Sequence, residues 1–437
     1  MNRAAVVNSA LVIPMGAFEE LSWRGLVQQT TAENFPEVLA KPLTMYVGAD
    51  PSAPSLHAGN LVPLMLMTHM RRAGHQVIAL VGGATGMIGD PSGKSSERKL
   101  LASDEVGNNT RRLRAQIERF FANDEGPPAR MVDNLEWLGG LTLLDFLRDI
   151  GKHFAVNQMI QRDSVKQRFE SREEGISYTE FSYMLLQAYD FLELFRRHGC
   201  RLQSGASDQW GNIVSGVDLV RRIEGKTVYG LTTPLLTDAS GKKYGKSEKG
   251  AVYLDPQLTS PYAFYQFWLN TEDANVGRFL RWLTVRPREE IEALEAALGA
   301  ERLGQRALAE DLTRRVHGDA ELARVKRATD ALFGGGDLRE IGGDLLDEAL
   351  AAAPSITVPR SRFDGDGALV VDLLAEVGAC SSKSDARRQL GAGGVAVNGV
   401  PLGTASAETR VKTSDLIDGR LLVLRRGKRN NYVIRAA

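Results

Sequence analysis

The sequence predicts an α/β protein: a Rossmann-like doubly wound parallel sheet, then an α-helical domain, then a small α+β module. Three observations carry this. Residues 44 to 85 read as a β-α-β unit, the text from Pro261 to about Leu350 turns helical, and the chain changes character again from about Gly367. In the first stretch, "TMYVGA" is a β-rich apolar run, "DPSAPS" is turn chemistry, "LHAGNLVPLMLMTHMRRAG" is a mostly apolar helix, and "VIALVGGATG" is a continuous apolar strand ending in glycines. A strand that is apolar throughout belongs in a buried parallel sheet with helices on both sides. Similar segments continue to "RLQSGASDQWGN", which puts the sheet domain at 1–257. "AFYQFWLN", "VGRFLRWL" and "REEIEALEAAL" have helical character and define a helical domain at 258–350. The Ala- and Gly-rich text with Pro354 and Pro359 reads as a linker at 351–366, leaving 367–437 as the small module.

With 437 residues, 43% hydrophobic and 25% charged, the chain is globular and long enough for two or three cores. Basic and acidic residues balance, so total charge announces no nucleic-acid partner, although a neutral total can hold a basic patch. Cys200 and Cys380 are too few and too far apart for a disulfide or zinc framework. That fits a reducing, cytoplasmic setting with no protein-held metal. The early apolar run "ALVIPM" is short, broken by Pro14 and followed by Glu19 and Glu20, so neither an export signal nor a membrane span is expected.

Two short segments carry chemistry. In "LHAGN", His57 and Asn60 lie three residues apart and share a face at the start of a helix, where unpaired N–H groups and the dipole favour an anion. Gly59 between them lets a flat base or ribose approach the backbone. Taken alone, this tetrad is better explained by an irregular cap with a solvated histidine. The second segment, "SGKKYGKSEKG" at 240–250, sets Lys243 and Lys246 around Gly245 in a loop. Two ammonium groups there neutralise charge developing on a transferring phosphate and a leaving pyrophosphate, though a lysine- and glycine-rich run by itself is an ordinary solvated turn. The order of the two segments is more specific than either one.

"HAGN" and "KYGKS" resemble the two signatures of the class I aminoacyl-tRNA synthetases, and the text around them resembles the bacterial tyrosyl-tRNA synthetases. The stretches that carry the likeness are "YVGADPSAPSLHAGNL", "ALVGGATGMIGDPSGKSSER", "FLRDIGKHFAVNQM", "FSYMLLQAYDF" and "SDQWGN". It runs from about residue 20 to the C-terminus and is weakest in the linker. Asn60 departs from it, standing where the class signature has a second histidine, and so do Ser204 and Ala206, where bulkier or glycine residues are common. Asparagine still donates a hydrogen bond, so activity is expected to survive.

In "YMLLQAYDF", Tyr183, Gln187 and Asp190 fall on one face of an otherwise apolar helix, and buried polar groups need partners. An internal network or a ligand meets that need. The resemblance implies the ligand: Tyr183, Gln187 and Asp90 hold a substrate ammonium, while Tyr46 and Asp190 meet the phenol hydroxyl of L-tyrosine. It also implies that Gly48, Asp50, Gly59, Asp208, Gln209 and Ser247 join His57, Asn60, Lys243 and Lys246 around ATP. Lys94 and Arg98 then sit on a loop near phosphates and the tRNA, although each reads equally as ordinary surface charge.

The implied reaction has two steps. Tyrosine carboxylate attacks the α-phosphate of ATP, which brings Mg2+ with it, and a ribose hydroxyl of tRNA(Tyr) then attacks the adenylate carbonyl. No tightly bound cofactor is expected. A small-molecule nucleotidyltransferase shares the His-x-Gly helix but has no reason to carry a helical domain and a basic module. An RNA-binding protein on a retired synthetase scaffold has no need of His57, Lys243, Lys246, Tyr183 and Asp190. The C-terminal part resembles the small RNA-binding module first described in a ribosomal small-subunit protein. Lys383, Arg387 and Arg388 fall on a predicted helix, and Arg425, Arg426, Lys428 and Arg429 fall in "RRGKRNN". Two basic clusters in one small module favour RNA phosphates over a merely solvated face. The resemblance further implies a homodimer with its interface at about 135–180.

Overall fold

The structure, a computed structural model, describes residues 16–92, 100–162, 165–166, 175–247, 250–299, 301–334, 336–351, 353–427 and 430–437. They form two compact units. The first takes the chain up to Leu258 together with Thr271–Leu308, and the second takes Thr259–Asn270 together with Ala309–Ala437.

The first unit is built on strands β1 (Gln29–Thr30), β2 (Thr44–Ala49), β3 (Gln76–Val81), β4 (Arg130–Asp133), β5 (Cys200–Ala206) and β6 (Tyr229–Thr233), in the order β1-β6-β5-β2-β3-β4. Strands β2 to β6 are parallel, and only β1 runs antiparallel, along β6. The chain enters at the central β2, winds outward through β3 and β4, and returns to β5 on the other side. That reversal opens a crevice at the carboxyl ends of β2 and β5. Helices Leu61–Arg72, Ser103–Phe121, Tyr178–His198 and Trp210–Glu224 supply the crossovers. Tyr46, Ile78, Leu80 and Val132 from the strands pack on Ala188, Phe191 and Leu192 of the helix Tyr178–His198. Sequence sets both ends of that helix: Ser177 accepts from Glu180 N, and Gly199 closes it in the left-handed conformation at φ 61° after a basic last turn. A short hairpin, β7 (Lys246–Ser247) with β8 (Gly250–Ala251), follows the sheet.

In the second unit, helices including Pro261–Leu269, Asp319–Gly334 and Gly343–Ala349 accompany a five-stranded sheet. Its strands β9 (Ser355–Val358), β11 (Val395–Val397), β12 (Val400–Pro401), β14 (Leu421–Arg426) and β15 (Asn430–Ala436) lie in the order β12-β11-β14-β15-β9. A small pair, β10 (Ala368–Leu369) with β13 (Arg410–Val411), and helices Val370–Glu376 and Lys383–Gly391 complete it. Val370, Leu373, Leu374, Ala386 and Leu390 of those helices pack with Val395, Leu422, Leu424 and Ile434 of the sheet.

Two boundaries differ from the expectation. The helical text at 258–350 is divided: Asp273–Leu283 and Arg288–Ala296 belong to the first unit, Pro261–Leu269 and the chain from Ala309 to the second. Periodicity reports that a helix has an apolar face, not which surface that face meets. The linker expected at 351–366 is folded. Its "SITV" is strand β9, paired in parallel with β15 from Val433↔Ser355 to Ala436↔Val358, and Phe363 lies buried in the core of the second unit. The partner strand is at the far end of the chain, so alanine and proline dominated the local reading.

Candidate active site

A cleft of about 480 Å³ lies at the reversal point of the sheet. Tyr46, Gly48, Asp50, His57, Gly59, Asn60, Asp90, Tyr183, Gln187, Asp190, Asp208, Gln209 and Lys243 all line it. Of Lys246 and Ser247 the structure describes only the backbone, in β7, and Lys94 and Arg98 lie outside the described residues.

The floor comes from β2 and the helix Tyr178–His198. Asp190 is 2% exposed, and its carboxylate accepts from Trp137 Nε1 at 2.8 Å and Asn134 Nδ2 at 3.0 Å. Burial pushes this carboxyl up to about 8, against the opposing pull of those two donors. Tyr46 Oη is buried with no hydrogen-bond partner among the described residues, and its ring packs 5.4 Å from that of Phe191. Burial first, and then the Asp190 charge, raise the Tyr46 phenol well above its ordinary value, so it is a neutral hydroxyl. An orphaned hydroxyl and a buried carboxyl group lining the same cleft can receive one small polar group of a ligand.

Acceptors dominate the middle of the cleft. Asp50 takes hydrogen bonds from Tyr183 Oη and Thr85 Oγ1, both at 2.7 Å. Gly82 makes room for this arrangement, because a Cβ there would stand 2.2 Å from Asp50 Oδ1 and from Thr85 Oγ1. Gln209 Nε2 donates to Asp90 Oδ2 at 2.7 Å, while Asn212 Nδ2 donates to Gln187 Oε1 at 3.2 Å and Gln209 Oε1 at 3.1 Å. Two carboxylates and the Gln187 amide oxygen in one cleft suit a cationic group such as an ammonium.

The His57 segment begins differently from the expected helix. His57 caps a single 3₁₀ turn, Ala58–Asn60, and the α-helix starts at Leu61. Asn60 Oδ1 accepts from His57 N at 2.9 Å, and His57 Nδ1 accepts from Gly59 N at 3.0 Å. In the neutral ring the proton is therefore on Nε2, making that nitrogen a donor. Gly59 is required by the histidine itself, since a Cβ there would lie 2.8 Å from His57 Cε1. Lys243 Nζ stands 3.6 Å from Asp208 Oδ2. Burial raises the Asp208 carboxyl and Lys243 draws it back down. The two signatures are stitched together through the backbone: His57 bridges Tyr253, Ala58 N donates to Val252 O at 2.8 Å, and Val252 N donates to Gly245 O at 2.9 Å.

The chain as a whole matches known proteins. The family described as tRNA synthetases class I (W and Y) matches residues 39–334, and the C-terminal domain of tyrosine–tRNA ligases matches 351–434. The chain is 48% identical to the tyrosine–tRNA ligase of Roseiflexus castenholzii over 422 residues, covering 95% of this chain and 98% of that one. The chain belongs to the class I tyrosine–tRNA ligase family. Likewise, it is 51% identical to the tyrosine–tRNA ligase of Streptomyces griseus over 418 residues, 94% of this chain and 96% of the other. A C-terminally truncated mitochondrial tyrosyl-tRNA synthetase of Aspergillus nidulans superposes with a TM-score of 0.65 at 32% identity, covering 73% of this chain and 94% of that one.

Several residues that hold the cleft's side chains escaped the sequence reading. Trp137 and Asn134, which hold Asp190, sit in "VDNLEWL" just past β4, and Thr85 lies in the glycine turn after β3. The available signal was position, because polar residues at the carboxyl ends of parallel strands face the crevice. Asn212 stands inside the quoted "SDQWGN" and links Gln187 to Gln209. In the C-terminal module, Lys383, Arg387 and Arg388 fall on the helix Lys383–Gly391, and Arg425 and Arg426 end β14. Lys428 and Arg429 lie outside the described residues. Asp385 joins the two clusters, pairing with Arg388 at 2.7 Å and with Arg426 at 3.7 Å, while Lys383 pairs with Asp372 at 2.9 Å.

Proposed function

We infer that this chain activates L-tyrosine with ATP, giving tyrosyl-adenylate and pyrophosphate, and transfers the tyrosine to the 3′-terminal adenosine of tRNA(Tyr). The observation that carries the choice of amino acid is the floor, where the partnerless Tyr46 hydroxyl and the buried Asp190 carboxylate match a phenol O–H. Phenylalanine leaves the Tyr46 hydroxyl without a partner and brings no hydroxyl to Asp190. Tyr183, Gln187 and Asp90 hold the substrate ammonium. Asp50, Asp208 and Gln209, with the Gly48 and Gly59 backbone and Ser247, receive the nucleotide.

In the first step an oxygen of the tyrosine carboxylate forms a bond to the α-phosphorus while the bond to the pyrophosphate oxygen breaks. No protein nucleophile takes part. His57 and Asn60 donate to the phosphate oxygens as charge builds, and Lys243 and Lys246 neutralise the departing pyrophosphate, so positioning and electrostatics supply the rate. Magnesium enters with ATP as part of that substrate. In the second step the ribose hydroxyl attacks the adenylate carbonyl and AMP leaves. The test is ATP–pyrophosphate exchange with each of the twenty amino acids; exchange with tyrosine alone is the expected result, and exchange with another amino acid in place of tyrosine removes the assignment.

The tRNA is held by the C-terminal module through Lys383, Arg387, Arg388, Arg425, Arg426, Lys428 and Arg429, with Lys94 and Arg98 acting near the active site. Because the chain from Ala309 to Ala437 belongs to one folded unit, a charge change tests this better than a truncation. In the double variant Arg387→Glu with Arg388→Glu, pyrophosphate exchange persists and tRNA charging falls by about 100-fold or more. Full charging by that variant removes the RNA-binding role. In the intact chain, tRNA binding weakens as salt rises.

The working form is a cytoplasmic homodimer. Leu135, Leu143, Leu144, Leu147, Val156 and Tyr178 are exposed within one stretch, with Leu143 and Leu144 70% and 77% exposed. An apolar concentration of this kind on a water-facing surface marks an interface. The double variant Leu143→Glu with Leu144→Glu is expected to sediment as a monomer under conditions where the parent sediments as a dimer.

A further inference from the structure

The helix Ser103–Phe121 presents three side chains at i, i+3 and i+7 to the turn that leads into the His57 segment and to the stretch that follows the lysine loop, and none of them lines the cleft. Asn109 Nδ2 donates to Pro51 O at 3.1 Å, buried behind the turn that leads out of β2. Arg112 Nη2 pairs with Asp255 Oδ2 at 2.8 Å, just past the segment that bridges His57. Gln116 Oε1 accepts from Leu56 N at 3.0 Å and from Ser55 Oγ at 3.3 Å. Ser55 Oγ in turn accepts from Asp255 N at 3.1 Å, and Leu254 N donates to Leu56 O at 2.8 Å. The Leu56 N–H therefore ends on a side chain, at the residue before the histidine. The main-chain stitch that joins His57 to the end of the lysine loop is fastened from outside by this helix.

We propose that Gln116, with Arg112 and Asn109 beside it, is a positioning residue for adenylate formation: it fixes the register between the His57 turn and the strand leaving the lysine loop. This rests on the reading of the cleft as a tyrosine-activating site. The physical argument is one of distance. Charge-stabilising groups act only when aligned with the transferring phosphate, and a displacement of about 1 Å costs about 100-fold in rate. The tyrosine floor stands on β2, Trp137, Asn134 and the helix Tyr178–His198, so it does not depend on this splint.

The test uses Gln116→Leu, which removes the acceptor, and Gln116→Glu, which keeps an oxygen acceptor for Leu56 N and Ser55 Oγ. Single-turnover adenylate formation in Gln116→Leu is expected to slow by about 10- to 100-fold, with tyrosine affinity by equilibrium dialysis unchanged within about twofold. Gln116→Glu is expected to restore most of the rate. Equal losses in the two variants overturn the proposal, as does a Gln116→Leu rate equal to that of the parent, or a loss of tyrosine affinity as large as the loss of rate. Tyrosine-dependent exchange by the parent is measured first. Its absence removes the functional reading itself, whereas an active parent with an indifferent Gln116 removes only the splint.

Discussion

Replacing Asp190 by alanine lowers kcat/KM for tyrosine by about 5- to 100-fold, the range expected when a buried hydroxyl is left without its partner at a cost of about 1–3 kcal/mol. Use of phenylalanine falls much less, because that substrate has no hydroxyl to lose a partner. Steady-state exchange with both amino acids on one preparation checks this, and an equal proportional loss makes Asp190 a purely structural carboxylate. The same variant strands the Trp137 and Asn134 donors, so its melting temperature also drops. A pH experiment isolates the ionisation. The folded-state value of about 8 lies above the roughly 3.9 of an unfolded chain, so between those values the folded protein holds the extra proton. Ionising Asp190 therefore costs stability, fully avoided below pH about 4 and incurred as pH rises to about 8. Over that window the tyrosine-free Asp190→Asn variant, which cannot titrate there, loses less melting temperature than its parent does.

Removing the Lys243 ammonium with Lys243→Ala slows adenylate formation by about 100- to 1000-fold, the scale seen when a group aligned with transition-state charge is deleted. Tyrosine affinity stays near that of the parent, since the amino acid is held by the floor and the acceptors of the cleft. Lys246→Ala is expected to behave alike. A companion variant reports on the free state, in which Lys243 is paired with Asp208. With Asp208→Asn that pair is gone, and with it the nucleotide contact proposed for Asp208. Single-turnover rates and tyrosine dissociation constants measured side by side decide the point: loss of tyrosine binding with an unchanged rate refutes the role.

The sheet domain was legible because its signals are local. "TMYVGA" is β2 in full, "YMLLQAYDF" lies in one helix with Tyr183, Gln187 and Asp190 all at the cleft, and both lysine-loop and HAGN segments stand in a single compact unit. What misled was anything whose partner is distant. β9 reads as linker because its hydrogen bonds go to β15, and the helices of 258–350 look alike although they pack in different units. Gly59 shows the same limit at the scale of one residue: its presence was evident, but its reason is the ring of His57 folding back over it.

By itself, then, the sequence determined the fold class, the two signatures and most of the residues that line the cleft, because periodicity, turn chemistry and motif order are properties of neighbouring residues. Tertiary structure decided the rest. It set Trp137 and Asn134 on Asp190, left the Tyr46 hydroxyl without a partner among the described residues, bridged His57 to Tyr253, and placed Gln116 behind the signature turn. Each of those contacts joins segments far apart in the chain, and its energy depends on burial and alignment that no local pattern encodes.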